Sequence, residues 1–302
     1  MEKITPHLWF DKEAREAAEF YVSVFPDSQF TNLTRLSGTP SGDCDVVSFQ
    51  LGGEPFMAIS AGPLFKFNPS VSFHARCSSN EEVDALWAKL SPGGKVLMPL
   101  GSYPFAARYG WLEDKYGLSW QVISSGAAAL KQRFMPALMF VENRCGEAEE
   151  AINFYVSVFR GAPNGANAGE TNAVVLARYG KDDAPDTEGN VRYAQFLLRG
   201  QEFAAMDSAR LHQFSFNEAI SFLIPCDTQE EIDYFWGKLS ADPKAEQCGW
   251  LKDKYGLSWQ VAPAKLRRLL AEGDKARIER VTQAFLKMKK FDIAALERAA
   301  AG

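Results

Sequence analysis

The sequence is poor in the side chains that catalytic and metal sites use most. It has three histidines, His7, His74 and His212, among 302 residues. It contains no HExxH pattern and no GxSxG pattern, so neither a zinc protease nor an α/β-hydrolase is indicated. Its five cysteines form no CxxC pair, and an odd number without regular spacing is typical of free thiols rather than of a disulfide framework or a zinc cluster.

A second group of absences concerns partners and location. No GxGxG or GxGxxG pattern is present, so the glycine-rich turn that common S-adenosylmethionine and dinucleotide enzymes need is missing. The net charge is −5, and no basic stripe occurs before the last forty residues, so nucleic acid is not an expected partner. No apolar run approaches the roughly 18 residues of a membrane helix, and the N-terminus lacks an apolar secretion signal. We therefore expect a cytoplasmic protein that binds neither membranes nor nucleic acid.

What the sequence does contain is an internal repeat. Residues 110–122 (GWLEDKYGLSWQV) and 249–261 (GWLKDKYGLSWQV) are identical at 12 of 13 positions. FYVSVF occurs at 20–25 and again at 154–159, and residues 72–91 align without a gap with residues 221–240. The chain is therefore a duplication. The predicted domains are copy one at 1–125, a linker at 126–135, copy two at 136–262 and a tail at 263–302.

Each copy is predicted to hold two similar modules. In the first module an apolar run precedes an amphipathic helix, and three strands follow, of which the last two are joined by a glycine pair at 52–53 that suits a hairpin turn. The second module repeats this order, with a capping box of Ser79 and Glu82 that recurs as Thr228 and Glu231. The order strand, helix, three strands is expected four times. Copy two has ten fewer residues before its GWL motif, which we interpret as a shortened loop.

These residues resemble the PhnB-like branch of the glyoxalase, bleomycin-resistance and extradiol-dioxygenase (vicinal oxygen chelate) superfamily. The resemblance covers residues 4–123 and 136–262, and its most specific motifs are ITPHLWFDKEAREAAEFYVSVFP, GPLFKFN and GWLKDKYGLSWQV. Within the superfamily it is greatest to the group often described as 3-demethylubiquinone-9 3-methyltransferase. It implies an α+β fold of tandem glyoxalase-like domains, in which each domain has two βαβββ modules whose curved mixed sheets form a cup, followed by a helical tail.

The resemblance also implies what the cups do. Such a cup holds either an organic molecule or a divalent metal ion. We expect the copy-one cup to be lined by His7, Trp9, Ser60, His74 and Gln121, and we assign no catalytic residue. The sequence leaves open whether each copy closes its own cup or pairs with the other copy. The full set of ligand-binding candidates is His7, Trp9, Ser60, His74, Trp111, Gln121, Asp207, Cys248, Trp250 and Gln260.

The expected function is the binding of a small organic molecule, for instance an aromatic one, without a metal or other cofactor. The alternative is a metal-dependent lyase or isomerase of the glyoxalase kind, with the ion held by His7, His74 and Gln121. His7 and the neutral amide of Gln121 alone are too few donors for a divalent ion, so this alternative depends on His74, which shares a strand face with Ser72. Methyl transfer is not expected, because the glycine-rich turn is missing. In a third interpretation, one copy is a structural scaffold for the other. The sequence leaves open whether the chain forms a homodimer.

Several candidates also have a purely structural interpretation. Tryptophans at helical or strand spacing are typical of core residues, and Trp9 too fits a core position as well as a cup wall. Cys77 and Cys226 lie at equivalent strand ends and are expected to be small core residues. Cys248, whose counterpart is Tyr109, could face a cup instead. The tryptophans predicted to be core are Trp87, Trp120, Trp236 and Trp259.

The tail from Ala264 is basic and is predicted to be helical. Asp274 can cap a helix whose apolar residues lie on one face. We expect this helix to dock on its own chain with its other face in solvent, rather than to bind a partner. The apolar residues of that face are Ile278, Val281, Phe285 and Met288.

Overall fold

The computed structural model describes residues 3–39, 41–126, 131–163, 170–271 and 274–302. Strands and helices are mixed throughout these segments, and three helices follow the last strand. The α+β class and the helical tail predicted from the sequence are confirmed. Part of the predicted linker, residues 127–130, lies outside the described residues. No helix among the described residues is long and apolar enough to cross a membrane.

Four modules follow one another along the chain. Module 1 consists of β1 (Thr5–Phe10), α1 (Ala14–Val24), β2 (Gln29–Thr39), β3 (Gly42–Leu51) and β4 (Glu54–Ser60). Module 2 consists of β5 (Val71–Cys77), α2 (Asn80–Leu90), β6 (Lys95–Tyr103), β7 (Ala106–Glu113) and β8 (Ser119–Ser124). Module 3 consists of β9 (Phe134–Phe140), α3 (Ala148–Arg160), β10 (Asn172–Arg178), β11 (Val191–Leu198) and β12 (Gln201–Asp207). Module 4 consists of β13 (Ile220–Cys226), α4 (Gln229–Leu239), β14 (Trp250–Lys252) and β15 (Ser258–Pro263). The tail consists of α5 (Ala264–Ala271), α6 (Lys275–Phe285) and α7 (Ile293–Ala301).

The modules pair between the copies, not within them. Sheet A has the strand order β14-β15-β13-β1-β4-β3-β2 and so joins module 4 to module 1. Sheet B has the order β10-β11-β12-β9-β5-β8-β7-β6 and joins module 3 to module 2. Both junctions are antiparallel, with His7 opposite Ser221 in sheet A and Ala137 opposite Ser72 in sheet B. Each sheet therefore needs strands from both copies, which answers the question that the sequence left open.

Module 4 departs from the expected order because only two strands follow its helix. Residues 240–249 are all described and contain no named strand, whereas the equivalent part of module 2 contains β6. The ten missing residues therefore remove a strand, and the interpretation as a shortened loop was wrong. The tail fills the gap: the amides of Cys248 and Gly249 each donate at 2.8 Å to the carbonyl oxygens of Met288 and Lys289.

The repeated DKYGLSW motif forms a clamp around a buried carboxylate. In copy two, one oxygen of Asp253 accepts the amides of Tyr255 and Leu257 at 2.9 and 3.0 Å. The other oxygen accepts the Tyr155 hydroxyl and the Trp259 indole N–H, both at 2.8 Å. Tyr155 belongs to the repeated FYVSVF helix. The two motifs that revealed the duplication are thus joined to each other by hydrogen bonds.

Copy one has the same clamp centred on Asp114. Its carboxylate accepts the Tyr21 hydroxyl at 2.8 Å and the Trp120 indole N–H at 2.9 Å. Burial raises the pKa of both Asp114 and Asp253, although the four hydrogen bonds to each favour the ionised form. The clamps connect module 1 to module 2 and module 3 to module 4, so each copy holds together through its helices and loops while the sheets connect the copies.

Most of the residues that the sequence predicts to be core residues are buried. Trp120 and Trp259 are fully buried, and Cys77 and Cys226 are buried as expected. Trp87 and Trp236, which were also predicted to be core residues, are only partly buried and pack against the core.

Helix capping follows the sequence closely. The Thr228 hydroxyl and the Glu231 side chain complete a capping box at α4, whereas at α2 Glu82 reaches the Ser78 amide in place of the Ser79 amide. Asp274 caps α6 by accepting from the Arg277 amide at 2.8 Å.

The tail docks on its own chain. Val281 and Phe285 are buried, and both α5 and α6 pack against β2. The prediction that the tail docks on its own chain is therefore confirmed.

Candidate functional site

A cavity of about 420 Å³ lies on one face of sheet A. Six strands, β1, β2, β3, β4, β13 and β15, contribute alternate residues to it, as expected when one face of a pleated sheet forms the wall. On β1 these residues are Thr5, His7 and Trp9, while Leu8 and Phe10 are buried on the opposite face. The tail closes the cavity with Leu266, Leu270, Phe285, Leu286 and Phe291. Both copies and the tail therefore build this one site.

His7 is the central polar group of the cavity wall. Its Nδ1 contacts the side-chain amide nitrogen of Gln260, which also donates to the Ser221 hydroxyl at 2.8 Å. Its Nε2 is buried and has no hydrogen-bond partner among the described residues. Burial lowers the pKa of His7 to about 3, because the protein interior disfavours the charged imidazolium. The ring is therefore neutral at physiological pH.

Two tryptophans form flat apolar walls beside His7. The Trp250 ring lies 5.5 Å from the His7 ring, centroid to centroid, and Trp9 meets Phe65 edge to face at 5.1 Å. The Trp9 indole N–H donates to the Gly62 carbonyl oxygen at 2.8 Å, which fixes the orientation of that ring. Gly62 and Phe65 belong to the GPLFKFN segment. Trp9 is thus a wall residue, not a buried core residue.

Cys248 lines the same cavity but is not an activated nucleophile. Burial raises the pKa of its thiol, so the thiol is protonated at neutral pH. Its sulfur donates to the Phe285 carbonyl oxygen at 3.5 Å. The counterpart Tyr109 is much larger, and its hydroxyl donates to Gln121 at 2.7 Å in sheet B. The smaller side chain of Cys248 leaves open a space that Tyr109 fills in the other sheet.

The equivalent face of sheet B carries the other candidates. The amide nitrogen of Gln121 donates to Ser72 at 2.8 Å, as Gln260 does to Ser221. His74 stacks on Tyr193 at 6.2 Å, and burial lowers its pKa to about 4. Trp111 differs from its counterpart Trp250, because its indole N–H donates to Ser119 at 2.8 Å.

The middle of this face is occupied by its own side chains. Met135, Ala137 and Ala204 are buried there as a small cluster, and Tyr193 and Met206 pack against it. On this face of sheet B, Tyr193 and Met206 thus pack against the cluster, whereas the equivalent face of sheet A lines the cavity.

Two candidates lie away from both faces. Ser60 accepts the Ala14 amide at 3.2 Å at the start of α1. Asp207 accepts the amides of Gly146 and Ala148 before and at the start of α3, and that of Val191 at 3.0 Å. Both side chains hold a helix start, so their assignment to a cup was wrong. On β4 the residues that share a face with His7 are Met57 and Ile59.

The residues predicted for one cup are divided between the two sheets. His7, Trp9, Trp250, Gln260 and Cys248 meet at the cavity of sheet A. His74, Gln121 and Trp111 lie in sheet B. The grouping of His7 with His74 and Gln121 in a single cup was therefore wrong, and so was their shared metal set.

Sequence reasoning missed the walls supplied by β2, β3 and the tail. Leu36 lies between the exposed Arg35 and Ser37 on β2, and Val46 precedes the buried Val47 on β3. Phe285 lies on the predicted face of α6. The signal for the strands was their period-two pattern. No local signal shows that α6 turns its apolar face to a cavity.

Comparison with known proteins follows the same division of the chain. The family model described as 3-demethylubiquinone-9 3-methyltransferase matches residues 2–123 and again 132–262. The chain belongs to this family. A search of curated proteins finds no match.

Some solved structures resemble about two fifths of this chain, and others resemble most of it. A PhnB protein from Bacillus cereus is 40% identical over 41% of this chain and 100% of its own, with a TM-score of 0.39. A protein from Pseudomonas aeruginosa is 25% identical over 42% of this chain and 99% of its own, with a TM-score of 0.38. Glyoxalase I from Zea mays is 12% identical over 88% of this chain and 94% of its own, with a TM-score of 0.53. The last comparison shows that this chain has a fold like that of glyoxalase I.

Proposed function

We propose that this protein binds a small, largely apolar organic molecule in the cavity of sheet A, without a metal ion. The observation that carries this proposal is the cavity itself, about 420 Å³ in volume and walled by Trp9, Trp250 and aliphatic side chains. Ligand sites typically measure about 300–1,000 Å³ and combine apolar walls with a few polar groups. His7 and Gln260 supply those polar groups.

The charges around the cavity favour a neutral ligand. Glu218 reaches its wall, but its carboxylate is paired with the Lys252 ammonium at 2.6 Å. Lys244 also belongs to the lining but is exposed to solvent. His7 is neutral, so its ring would not balance the charge of an ionised ligand placed beside it.

The donors beside His7 do not fit a divalent metal. The neighbouring side chains are the Gln260 amide, the Ser221 hydroxyl and the Met57 thioether, and the amide nitrogen of Gln260 is already a hydrogen-bond donor. A divalent ion needs several nitrogen or oxygen donors that converge on one point. We derive no chemical step through a metal here.

The methyl transfer named in the family description is not part of this proposal. The sequence lacks the glycine-rich turn on which common methyltransferases bind their cofactor. We assign no reaction.

The proposal is tested by titrating the full chain with N-phenyl-1-naphthylamine, a neutral aromatic probe that fluoresces in apolar sites. We expect saturable binding that EDTA does not change. Trp250→Leu should weaken binding by about tenfold, because it removes an aromatic wall of the cavity. Trp111→Leu changes the equivalent residue of sheet B and should leave the Kd unchanged.

Urea unfolding of both variants serves as the control for folding. The proposal fails if the wild-type chain shows no saturable binding, or if the two substitutions weaken binding equally.

A further inference from the structure

The two nitrogens of the His7 ring have different environments. The neutral ring carries one proton. Both hydrogens of the Gln260 amide are used, one on Ser221 and one on His7 Nδ1, so Nδ1 is the acceptor. The proton must therefore sit on Nε2.

This Nε2–H group is a donor without an acceptor. It is buried, and no described residue accepts its hydrogen bond. The ring packs against Trp250, and the adjacent strand places Met57 and Ile59 on the same face. A buried donor that is left unpaired costs free energy, and native structures seldom keep one without a reason. A ligand in the cavity would be the natural partner.

We propose that the ligand of this site presents a neutral carbonyl-type oxygen to His7, so that the site selects cyclic or aromatic ketones and aldehydes over hydrocarbons of the same shape. This inference rests on the proposed function. A carbonyl oxygen accepts and carries no hydrogen of its own, whereas a hydroxyl brings a second donor into the same apolar surroundings. A carboxylate beside His7 would bury a charge that the neutral ring does not compensate.

The equivalent face of sheet B differs in the side chains beside its repeated glutamine. The residue equivalent to His7 is Ala137, and the space beside Gln121 is taken by Tyr109, whose hydroxyl donates to the glutamine. His74 comes from a different strand position, whose counterpart in sheet A is Leu223. Nε2 of His74 is also buried without a described partner, but His74 does not line the cavity. Among the described residues that line the cavity, His7 is the one with an unpaired buried side-chain nitrogen.

The test compares three molecules with one bicyclic skeleton: 1-tetralone, 1-tetralol and tetralin. Their affinity for the full chain is measured by calorimetry and by displacement of N-phenyl-1-naphthylamine. We expect 1-tetralone to bind about tenfold more tightly than tetralin, which corresponds to one hydrogen bond to a buried donor, with 1-tetralol between them. His7→Phe keeps a flat ring but removes the donor, so 1-tetralone and tetralin should bind to this variant with similar affinity. His74→Phe, in the other sheet, should leave the preference unchanged.

A second measurement does not depend on a variant. Because the chain has three histidines, nitrogen-15 labelling of histidine resolves the His7 signals by NMR. We expect a neutral ring protonated on Nε2, whose N–H proton shifts downfield when 1-tetralone is added and does not shift with tetralin.

The outcomes separate this inference from the proposed function. If 1-tetralone and tetralin bind equally, or if the preference survives in His7→Phe, the inference is wrong and the cavity still binds organic molecules. If the naphthylamine probe binds and neither bicyclic molecule displaces it, the ligand class is wrong. If nothing binds, the proposed function falls with it.

Discussion

His7 and His74 are buried in similar surroundings but at different strand positions. His7 aligns with Ala137 of the second copy, and His74 aligns with Leu223. Each ring contacts a glutamine of a repeated Gln–Ser pair, and burial lowers the pKa of both. Such groups make stability depend on pH, because they bind a proton in the unfolded chain and not in the folded one.

This pH dependence gives a prediction about acid stability. The variant His7→Asn keeps an acceptor near the position of Nδ1 but cannot ionise. An unfolded histidine has a pKa of about 6.5, and the folded pKa of His7 is about 3. Its contribution is therefore fully present above about pH 6.5 and is lost as the pH falls toward 3. Between pH 7 and pH 5 the free energy of unfolding of His7→Asn should fall by about 2 kcal/mol less than that of the wild type.

Urea unfolding at the two pH values measures this difference. The comparison with a variant is needed because burial raises the pKa of Glu54 to about 7, and this carboxyl makes stability fall as the pH rises from about 4.5 to 7. Glu54 acts equally in both proteins and cancels. Parallel pH profiles for the two proteins would show that the His7 ring titrates normally in the folded state.

At the scale of the elements, the longest repeated motif is explained by packing. Asp114 and Asp253 each accept four hydrogen bonds and so join a helix tyrosine, a strand tryptophan and a tight turn. These contacts need the same residues in the same order in both copies. The near-identity of residues 110–122 and 249–261 therefore reflects a structural requirement and does not by itself mark a catalytic site.

This clamp gives a prediction about stability. Tyr21→Phe should lower the free energy of unfolding by about 1–2 kcal/mol, because it removes one hydrogen bond to a buried carboxylate. Asp114→Ala should cost at least about 3 kcal/mol, because four donors lose their acceptor. Tyr116→Phe is the matched control: its hydroxyl bonds the exposed Glu16, and we expect a change below about 0.5 kcal/mol. Equal losses in the two tyrosine variants would contradict the clamp.

The elements also show how far sequence reasoning reaches. The duplication, the module order and most helix caps were predictable because they depend on local patterns. The face of β4 was not, since Ser60 lies one residue from Ile59 and a shift of one reverses the face of every side chain on a strand. The partner of each module was not predictable either, because β1 can pair with β5 or with β13 on the same apolar pattern. Tail docking in place of a strand depends on contacts between distant residues.

At the scale of the molecule, the two copies interlock. The clamps hold each copy together, and the sheets hold the copies to each other. Residues from copy one (His7, Trp9) and from copy two (Trp250, Gln260) face one cavity. Neither copy contains a whole site.

A chain divided in the linker tests this arrangement. When residues 1–126 and 131–302 are expressed as separate chains and mixed, we expect a 1:1 complex, because β1 needs β13 and β5 needs β9 to cover their edges. Light scattering measures the stoichiometry, and N-phenyl-1-naphthylamine reports the cavity. The complex should bind the probe and each half should not. Full affinity in one isolated half would contradict a site built from both copies.

The sheet pairing across copies has a consequence for how this chain could diversify. Two identical single-copy chains joined through the same strands would have two identical faces, because symmetry repeats every substitution in both. Once the copies are fused, a change such as cysteine for tyrosine at position 248 alters one face and spares the other. The chain could thus change sheet A with Cys248 and His7 while sheet B kept Tyr109 and its cluster around Ala137. Fusion released the two faces from symmetry, and one of them was then free to acquire a ligand of its own.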